Sequence, residues 1–168
     1  MGTMSEVING LTQPSDLFVA QRQAPVAPRS EPSLHHIGYV VPSIAEGLAR
    51  WQAALSAASV SAVFKDEIQR AQVLFLEFSC GGPTLELVEP MGTDSPVARF
   101  LEKGSGLHHL CFEVDDLHEQ IRYGKAQKGL LLRQPQPAVA FGGRRIAWMM
   151  TRDKLLVEYL ERRPSQIQ

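Results

Sequence analysis

The sequence predicts an α+β domain built from two copies of a βαβββ unit. Three observations carry this reading: a His-His doublet that recurs, a glutamate-bearing strand that recurs at almost the same offset, and a helical stretch after the doublet in both halves. Leu34-His35-His36-Ile37 returns as Leu107-His108-His109-Leu110, each followed four residues later by a valine, Val41 or Val114. Glu86-Leu87-Val88-Glu89 returns as Glu158-Tyr159-Leu160-Glu161, at an offset one residue shorter. Two short matches nearly in register, with a helix between them, point to duplication rather than chance.

In the first half, apolar alternation predicts a strand over 34–41, and Ile44, Leu48, Trp51 and Leu55 at helical spacing predict a helix over 43–56. Strands are expected near 59–66, 71–79 and 84–89. After a turn at Pro90 to Thr93, Ser95 is placed to cap a short helix with Pro96 at its first position, running through Phe100 and Leu101. The second half reads as a strand at 107–114, a helix at 116–127, a short strand after Gly129, and strands near 137–141, 145–151 and 155–161. The expected domain thus spans 33–163, with module one at 34–90 and module two at 107–161. Residues 1–32 mix Gln, Pro, Ser and Ala without a sustained apolar period, and are expected to form a flexible arm. Within it, Val7 to Leu11 and Leu17 to Val19 are apolar enough to dock on another surface.

The chain has 168 residues, 44% of them hydrophobic, enough for one core without disulfides. With 17 Lys plus Arg against 18 Asp plus Glu, its charge suggests neither a nucleic-acid footprint nor a patch for anionic membranes, so a small-molecule partner is expected. The two cysteines, Cys80 and Cys111, lack the paired spacing of a thiolate metal site and are expected to be thiols. No long apolar run or secretory pattern occurs, and a cytoplasmic location is expected.

Strand alternation selects one histidine of each pair. His35, Ile37, Tyr39 and Val41 share a face expected to pack on the helix, which leaves His36 with Gly38 and Val40 on the other. By the same parity His108 joins Leu110, Phe112 and Val114, and His109 faces the cleft with Cys111 and Glu113. Glu86 and Glu158 sit inside apolar strands, where an unpaired carboxylate costs several kcal/mol. Taken singly, such residues are more often ordinary structural histidines and solvent-facing glutamates; their recurrence at repeat-related positions favours a shared cation. Two imidazoles and two carboxylates suit one divalent metal ion of the Co, Mn, Ni or Zn kind, with room for substrate oxygens.

The stretches LHHIGYVVPSI, TLELVEP, DSPVARFLEKGSGLHHLCFEVDDL, FGGRRIAWM and LLVEYLE resemble the ordered motifs of methylmalonyl-CoA epimerases in the vicinal oxygen chelate (glyoxalase/bleomycin resistance/dioxygenase) superfamily. The resemblance extends over residues 34–161, and the run from Asp94 to Leu117 is its most specific part. It implies a glyoxalase-like fold, tandem βαβββ modules forming a curved mixed sheet around a metal-binding cleft, commonly as a homodimer. It also implies His36, Glu86, His109 and Glu158 as metal ligands, Glu158 doubling as a catalytic acid/base, and an acyl-CoA or other thioester as substrate. The Gly142-Gly143-Arg144-Arg145 turn matches the family's Gly-Gly-basic turn, making Arg144 and Arg145 candidates for substrate contact.

Removing a proton alpha to a thioester carbonyl requires charge stabilisation on oxygen, which a chelating metal supplies, and proton transfer by carboxylates. The family pattern places a second carboxylate on the third strand of the first module. Here that strand reads Gln72-Val73-Leu74-Phe75-Leu76, with Val73 at the expected position and Glu67 or Glu77 as the nearest alternatives. Competing readings are a glyoxalase I type lactoylglutathione lyase, an extradiol-dioxygenase-like iron site, and a metal-free drug-sequestering protein of the same fold.

Overall fold

The computed structural model describes residues 30–163 apart from Ser56 and Cys80, so nearly all of the expected arm over 1–32 lies outside the described residues. Nine strands form one mixed sheet, the architecture expected from the α+β reading. The first half consists of β1 (Ser33–Val40), α1 (Ile44–Ala54), β2 (Ala57–Val60), β3 (Phe64–Asp66), β4 (Ala71–Phe78) and β5 (Thr84–Pro90). A short helix, α2 (Ala98–Leu101), leads to β6 (Gly106–Val114), α3 (Leu117–Ala126), β7 (Leu130–Pro137), β8 (Arg145–Met150) and β9 (Leu156–Glu161).

The strand order is β2-β4-β5-β1-β6-β9-β8-β7, with β3 also paired to β4. At the centre β1 and β6 run antiparallel, while each lies parallel to the glutamate strand of its own half, β5 or β9. This arrangement brings both His doublets and both Glu strands to the middle of the sheet, and it follows from each unit pairing its first strand with its last.

The helices pack on one face and leave the other for the cleft. Ser43 caps α1 through Glu46 N–H, and Asp116 caps α3 through the N–H groups of His118 and Glu119, at 2.8 and 3.0 Å. Beneath α1 lie Val41, Leu74, Leu76, Leu85 and Leu87, with Ile37 and Tyr39 and the helix's own Trp51 against them; Leu117 and Ile121 of α3 pack in the same way on Val114, Ala147 and Met149. On the opposite face Val40, Ala71, Val73, Val88 and Val97 form one apolar wall, and Cys111, Ala138, Phe141, Ile146 and Leu160 the other.

Three local expectations are corrected. The strand expected over 59–66 is two strands, because Ser61 exchanges bonds with Phe75 (Ser61 N–H to Phe75 O, Phe75 N–H to Ser61 Oγ) and interrupts the ladder. The segment expected as a strand at 137–141 is a 3₁₀ turn at Val139–Phe141, which ends at Gly142 and Gly143, both with positive φ. Ser95 does not cap α2 with its side chain; its carbonyl accepts from Ala98 N–H and its hydroxyl is buried without a partner.

Candidate metal and substrate site

His36, Glu86, His109 and Glu158 meet on the cleft face, contributed by β1, β5, β6 and β9. Their fractional exposures are 0, 5, 2 and 2%. His36 Nε2 stands 3.1 Å from His109 Nε2, 3.5 Å from Glu86 Oε2 and 3.2 Å from Glu158 Oε2. His109 Nε2 lies 3.3 Å from Glu86 Oε2 and 3.6 Å from Glu158 Oε2. At metal–ligand lengths of about 2.1 Å, cis or tetrahedral donors stand roughly 3.0 to 3.4 Å apart. The ligand atoms of His36, His109 and Glu158 all lie within 4.8 Å of one another and could share an ion, while Glu86 stands against both imidazoles outside that set of three.

The charge balance agrees. Two buried carboxylates facing two imidazoles leave two negative charges when the rings are neutral, the amount one divalent ion cancels. Glu158 Oε2 has no hydrogen-bond partner of good geometry, although it stands 3.2 Å from His36 Nε2 and 3.6 Å from His109 Nε2. Without a metal the cluster draws in a proton instead. Burial opposes charge on His36, but the Glu86 carboxylate, joined by Glu158, outweighs it and pushes the imidazole up to about 10. Burial likewise opposes the charge on Glu86, yet the His36 charge and bonds from His109 and His36 hold its carboxyl well below the usual range.

The parity argument places His36 and His109 correctly on the cleft face, but it misplaces their neighbours. Across β1 and β6, Leu34 pairs with Phe112 and His36 with Cys111, so His35 is the extra residue of a bulge; Gly38 pairs with His109 and Tyr39 with Leu107, so His108 is another. Both first histidines therefore turn away from the helices. His35 Nδ1 lies 2.9 Å from His36 Nδ1, and His108 Nδ1 lies 3.0 Å from His109 Nδ1. A ligand imidazole bound through Nε2 carries its proton on Nδ1 and donates it to a neighbour, which fixes the tautomer. With His36 and His109 bonded through Nε2 to an ion, the acceptor would be the preceding histidine. Burial and the His36 charge lower the pKa of His35, and burial followed by the His109 charge pushes His108 down to about 4, so both stay neutral acceptors near neutral pH. The doubled His motif was the visible signal; the bulge that gives it meaning was not read from alternation.

Gly38 is required by close approach. A Cβ there would sit 2.0 Å from His109 Cε1 and 2.2 Å from Nδ1. The repeat-related residue is Cys111, opposite His36, a free and buried thiol whose pKa is raised by burial and by Glu158. Phe75 on β4 meets the His36 ring edge-on at 5.6 Å, and its counterpart Trp148 on β8 meets the His109 ring at 4.8 Å. Phe141 stacks on His36 from the 3₁₀ turn.

Above the cluster opens a cavity of about 380 Å³, lined mainly by apolar side chains such as Val73, Val88, Ile146 and Trp148. Its charged lining comprises Asp66, Glu86, Glu158 and Arg133 together with His108 and His109. Arg144 and Arg145, expected at the substrate, are placed off this lining: Arg144 pairs with Glu113, and Arg145 with Glu161. The strand β8 alternates so that Ile146 and Trp148 enter the cavity while Arg145 meets β9 at its end. Neither alternative carboxylate reaches the cleft. Glu67 is exposed and pairs with Arg70, and Glu77 is exposed and accepts from Ser59. Sequence reading missed Arg133, a cation of the cavity lining on β7, far along the chain from both recurring motifs, and the rings of Phe75, Phe141 and Trp148 that meet the imidazoles.

A family model described as the Glyoxalase/Bleomycin resistance protein/Dioxygenase superfamily matches residues 35–148. The chain belongs to this superfamily. It is 36% identical over 136 residues to the uncharacterized protein YqjC of Bacillus subtilis, covering 79% of this chain and 94% of that one. It is 34% identical over 97 residues to human mitochondrial methylmalonyl-CoA epimerase, spanning 56% of this chain and 53% of that protein. The crystal structure of methylmalonyl-CoA epimerase from Mycobacterium tuberculosis shares the fold, with a TM-score of 0.70, 22% identity, and coverage of 85% of this chain and 95% of that one. The superfamily fold accounts for the twofold placement of the four buried residues, and no helix among the described residues is long and apolar enough to cross a membrane.

Proposed function

We propose that this chain is a metal-dependent isomerase of methylmalonyl-CoA epimerase type, acting by removal of a proton alpha to a thioester carbonyl. The observation that carries the reading is the convergence of His36, Glu86, His109 and Glu158 at the floor of an apolar cleft of acyl-group size. A divalent ion held by these four residues would supply Lewis-acid stabilisation of negative charge on the thioester oxygen. The chain's own residues do the rest. Val73, Val88, Ile146 and Trp148 exclude water from the acyl group, which strengthens the electrostatic interactions at the floor. Glu158, whose Oε2 has no hydrogen-bond partner, is the base that takes the alpha proton.

Inversion requires a second acid on the opposite face of the carbon. Among the described residues the carboxylates lining the cleft are Asp66, Glu86 and Glu158, and Asp66 already accepts from the N–H groups of Gln69 and Val139. Glu86, the repeat mate of Glu158, is the remaining candidate. The valine at position 73 also favours a second reading, a glyoxalase I type isomerisation, in which one carboxylate both takes a proton and returns it to the neighbouring carbon.

The deciding experiment incubates metal-loaded protein with methylmalonyl-CoA in deuterium oxide and follows alpha-deuterium by mass spectrometry. Parallel assays follow the hemithioacetal of methylglyoxal and glutathione. Metal-dependent deuterium incorporation with loss of optical purity supports the epimerase. Turnover of the hemithioacetal alone supports the second reading, and neither activity with metal bound removes both.

A further inference from the structure

The cavity lining includes a cation that has no carboxylate partner among the described residues. Among the described residues the partly buried arginines are Arg70, Arg133, Arg144, Arg145 and Arg162. Four of these have carboxylate partners: Asp94 for Arg70, Glu113 for Arg144, Glu161 for Arg145 and Asp115 for Arg162. Among the described residues Arg133 has no carboxylate within 4.0 Å, and it bonds through one nitrogen, Nη1, to two neutral acceptors, Ile68 O at 3.2 Å and Gln69 Oε1 at 3.1 Å. Those bonds run from β7 across to the turn between β3 and β4, so the guanidinium is held at the cleft while Nε and Nη2 remain for other partners. A half-buried guanidinium with only neutral acceptors is incompletely compensated, and its planar fork suits a carboxylate or a phosphate.

We propose that Arg133 is the anion-recognition residue of the cleft, selecting thioesters that carry a negatively charged oxygen group beyond the reacting carbon. This rests on the reading of the cleft as the substrate site and adds the substrate's charge to it. Two sources offer that chemistry: a carboxylate on the acyl group, or a phosphate of the coenzyme A carrier. The distinction matters for specificity, because the rest of the lining, apart from His108 and Gln69, whose Nε2 is buried without a partner, is apolar or committed to the four-residue cluster and the Asp66 turn.

The test measures dissociation constants by isothermal titration calorimetry on the metal-loaded full chain. The ligands are methylmalonyl-CoA, propionyl-CoA, and the methylmalonyl and propionyl thioesters of pantetheine. In Arg133→Met, binding of methylmalonyl-CoA is expected to weaken at least about tenfold, the loss expected for a charge-assisted bond. Weakening confined to the two methylmalonyl ligands assigns the acyl carboxylate; weakening confined to the two CoA ligands assigns the carrier phosphate. Arg133→Lys, which keeps the charge, is expected to retain part of the affinity. Constants within twofold of wild type for all anionic ligands would overturn the proposal. Equal weakening for uncharged propionyl-pantetheine would also overturn it, assigning Arg133 to the tie between strands. So would absence of binding by the wild type to any of the four. Proton exchange is read separately, so an inactive protein with charge-selective binding sinks only the proposed reaction, and an active one with unchanged constants sinks only Arg133.

Discussion

The two halves contribute the same pair of ligand-type residues, yet their surroundings differ. Module one supplies His36 and Glu86 and leaves Gly38 opposite the other half's histidine; module two supplies His109 and Glu158 and puts Cys111 in the equivalent place. The outer histidine of module one, His35, looks toward Glu113, 4.0 Å away, in a charged cluster with Arg144 and Arg162. That of module two, His108, lines the cavity between Phe100 and Trp148. Module two also brings the 3₁₀ turn with Phe141, and Arg133 on β7. The four-residue cluster is the same in both halves, while the halves differ beside the imidazoles, at Gly38 and Cys111, and in what they bring to the cavity lining.

The most severe break of this symmetry removes one ligand from either half. His36→Ala and His109→Ala are each expected to lower affinity for a divalent ion by more than about 100-fold, beyond what loss of an outer partner costs. Elemental analysis of protein purified without chelator checks it. Equal loss in both variants supports a shared ion, and metal retained fully in either variant refutes it.

The Gly38 and Cys111 pair breaks the comparison on the other side of the ladder. Gly38→Ala drives a methyl group into the His109 ring, and overpacking of this kind costs about 1–3 kcal/mol. Cys111→Ala removes one buried atom under His36 and is expected to cost about 1 kcal/mol without displacing a ring. Denaturant unfolding with metal titration separates the two: Gly38→Ala is expected to lose both stability and metal, Cys111→Ala only a little stability.

The outer histidines give a finer contrast. His35→Ala and His108→Ala each remove the acceptor that fixes a ligand tautomer, at an expected cost of about 10- to 100-fold in metal affinity. Only His108 also lines the cavity, so only His108→Ala is expected to change KM for a thioester once metal is saturating. Equal changes in KM would remove the distinction between the two halves.

Much of this was legible in the sequence because duplication doubles every signal. One His-His pair says little, but two pairs and two Glu strands in nearly constant register gave the topology and all four cluster residues. What alternation could not show was the bulge at each doublet, since a single inserted residue changes the face of His35 and His108 without changing composition. The Gly142–Arg145 turn shows a related limit. Its basic residues look available in sequence, whereas Glu113 and Glu161, on neighbouring strands, claim them in the fold. Arg133 carried no motif, and only the crossing from β7 to the β3–β4 turn places it at the cleft.

The last contrast concerns pH, and it separates the empty cluster from the filled one. In metal-free protein the carboxylates raise His36 from 6.5 to about 10, so the folded state binds a proton more tightly than the unfolded chain does. That contribution to stability is complete below about pH 6.5 and is lost as pH rises through about 10. Metal-free protein is therefore expected to lose several degrees of Tm between pH 7 and pH 10, a slope that His36→Ala should flatten. Metal-loaded protein, in which the ion replaces the proton, should lack this component of the slope, and loading near pH 8 should release about one proton per ion. Calorimetry in two buffers of different ionisation enthalpy counts that proton. A release near zero would mean that His36 is already neutral in the empty cluster, and that the two carboxylates balance their charge by another route.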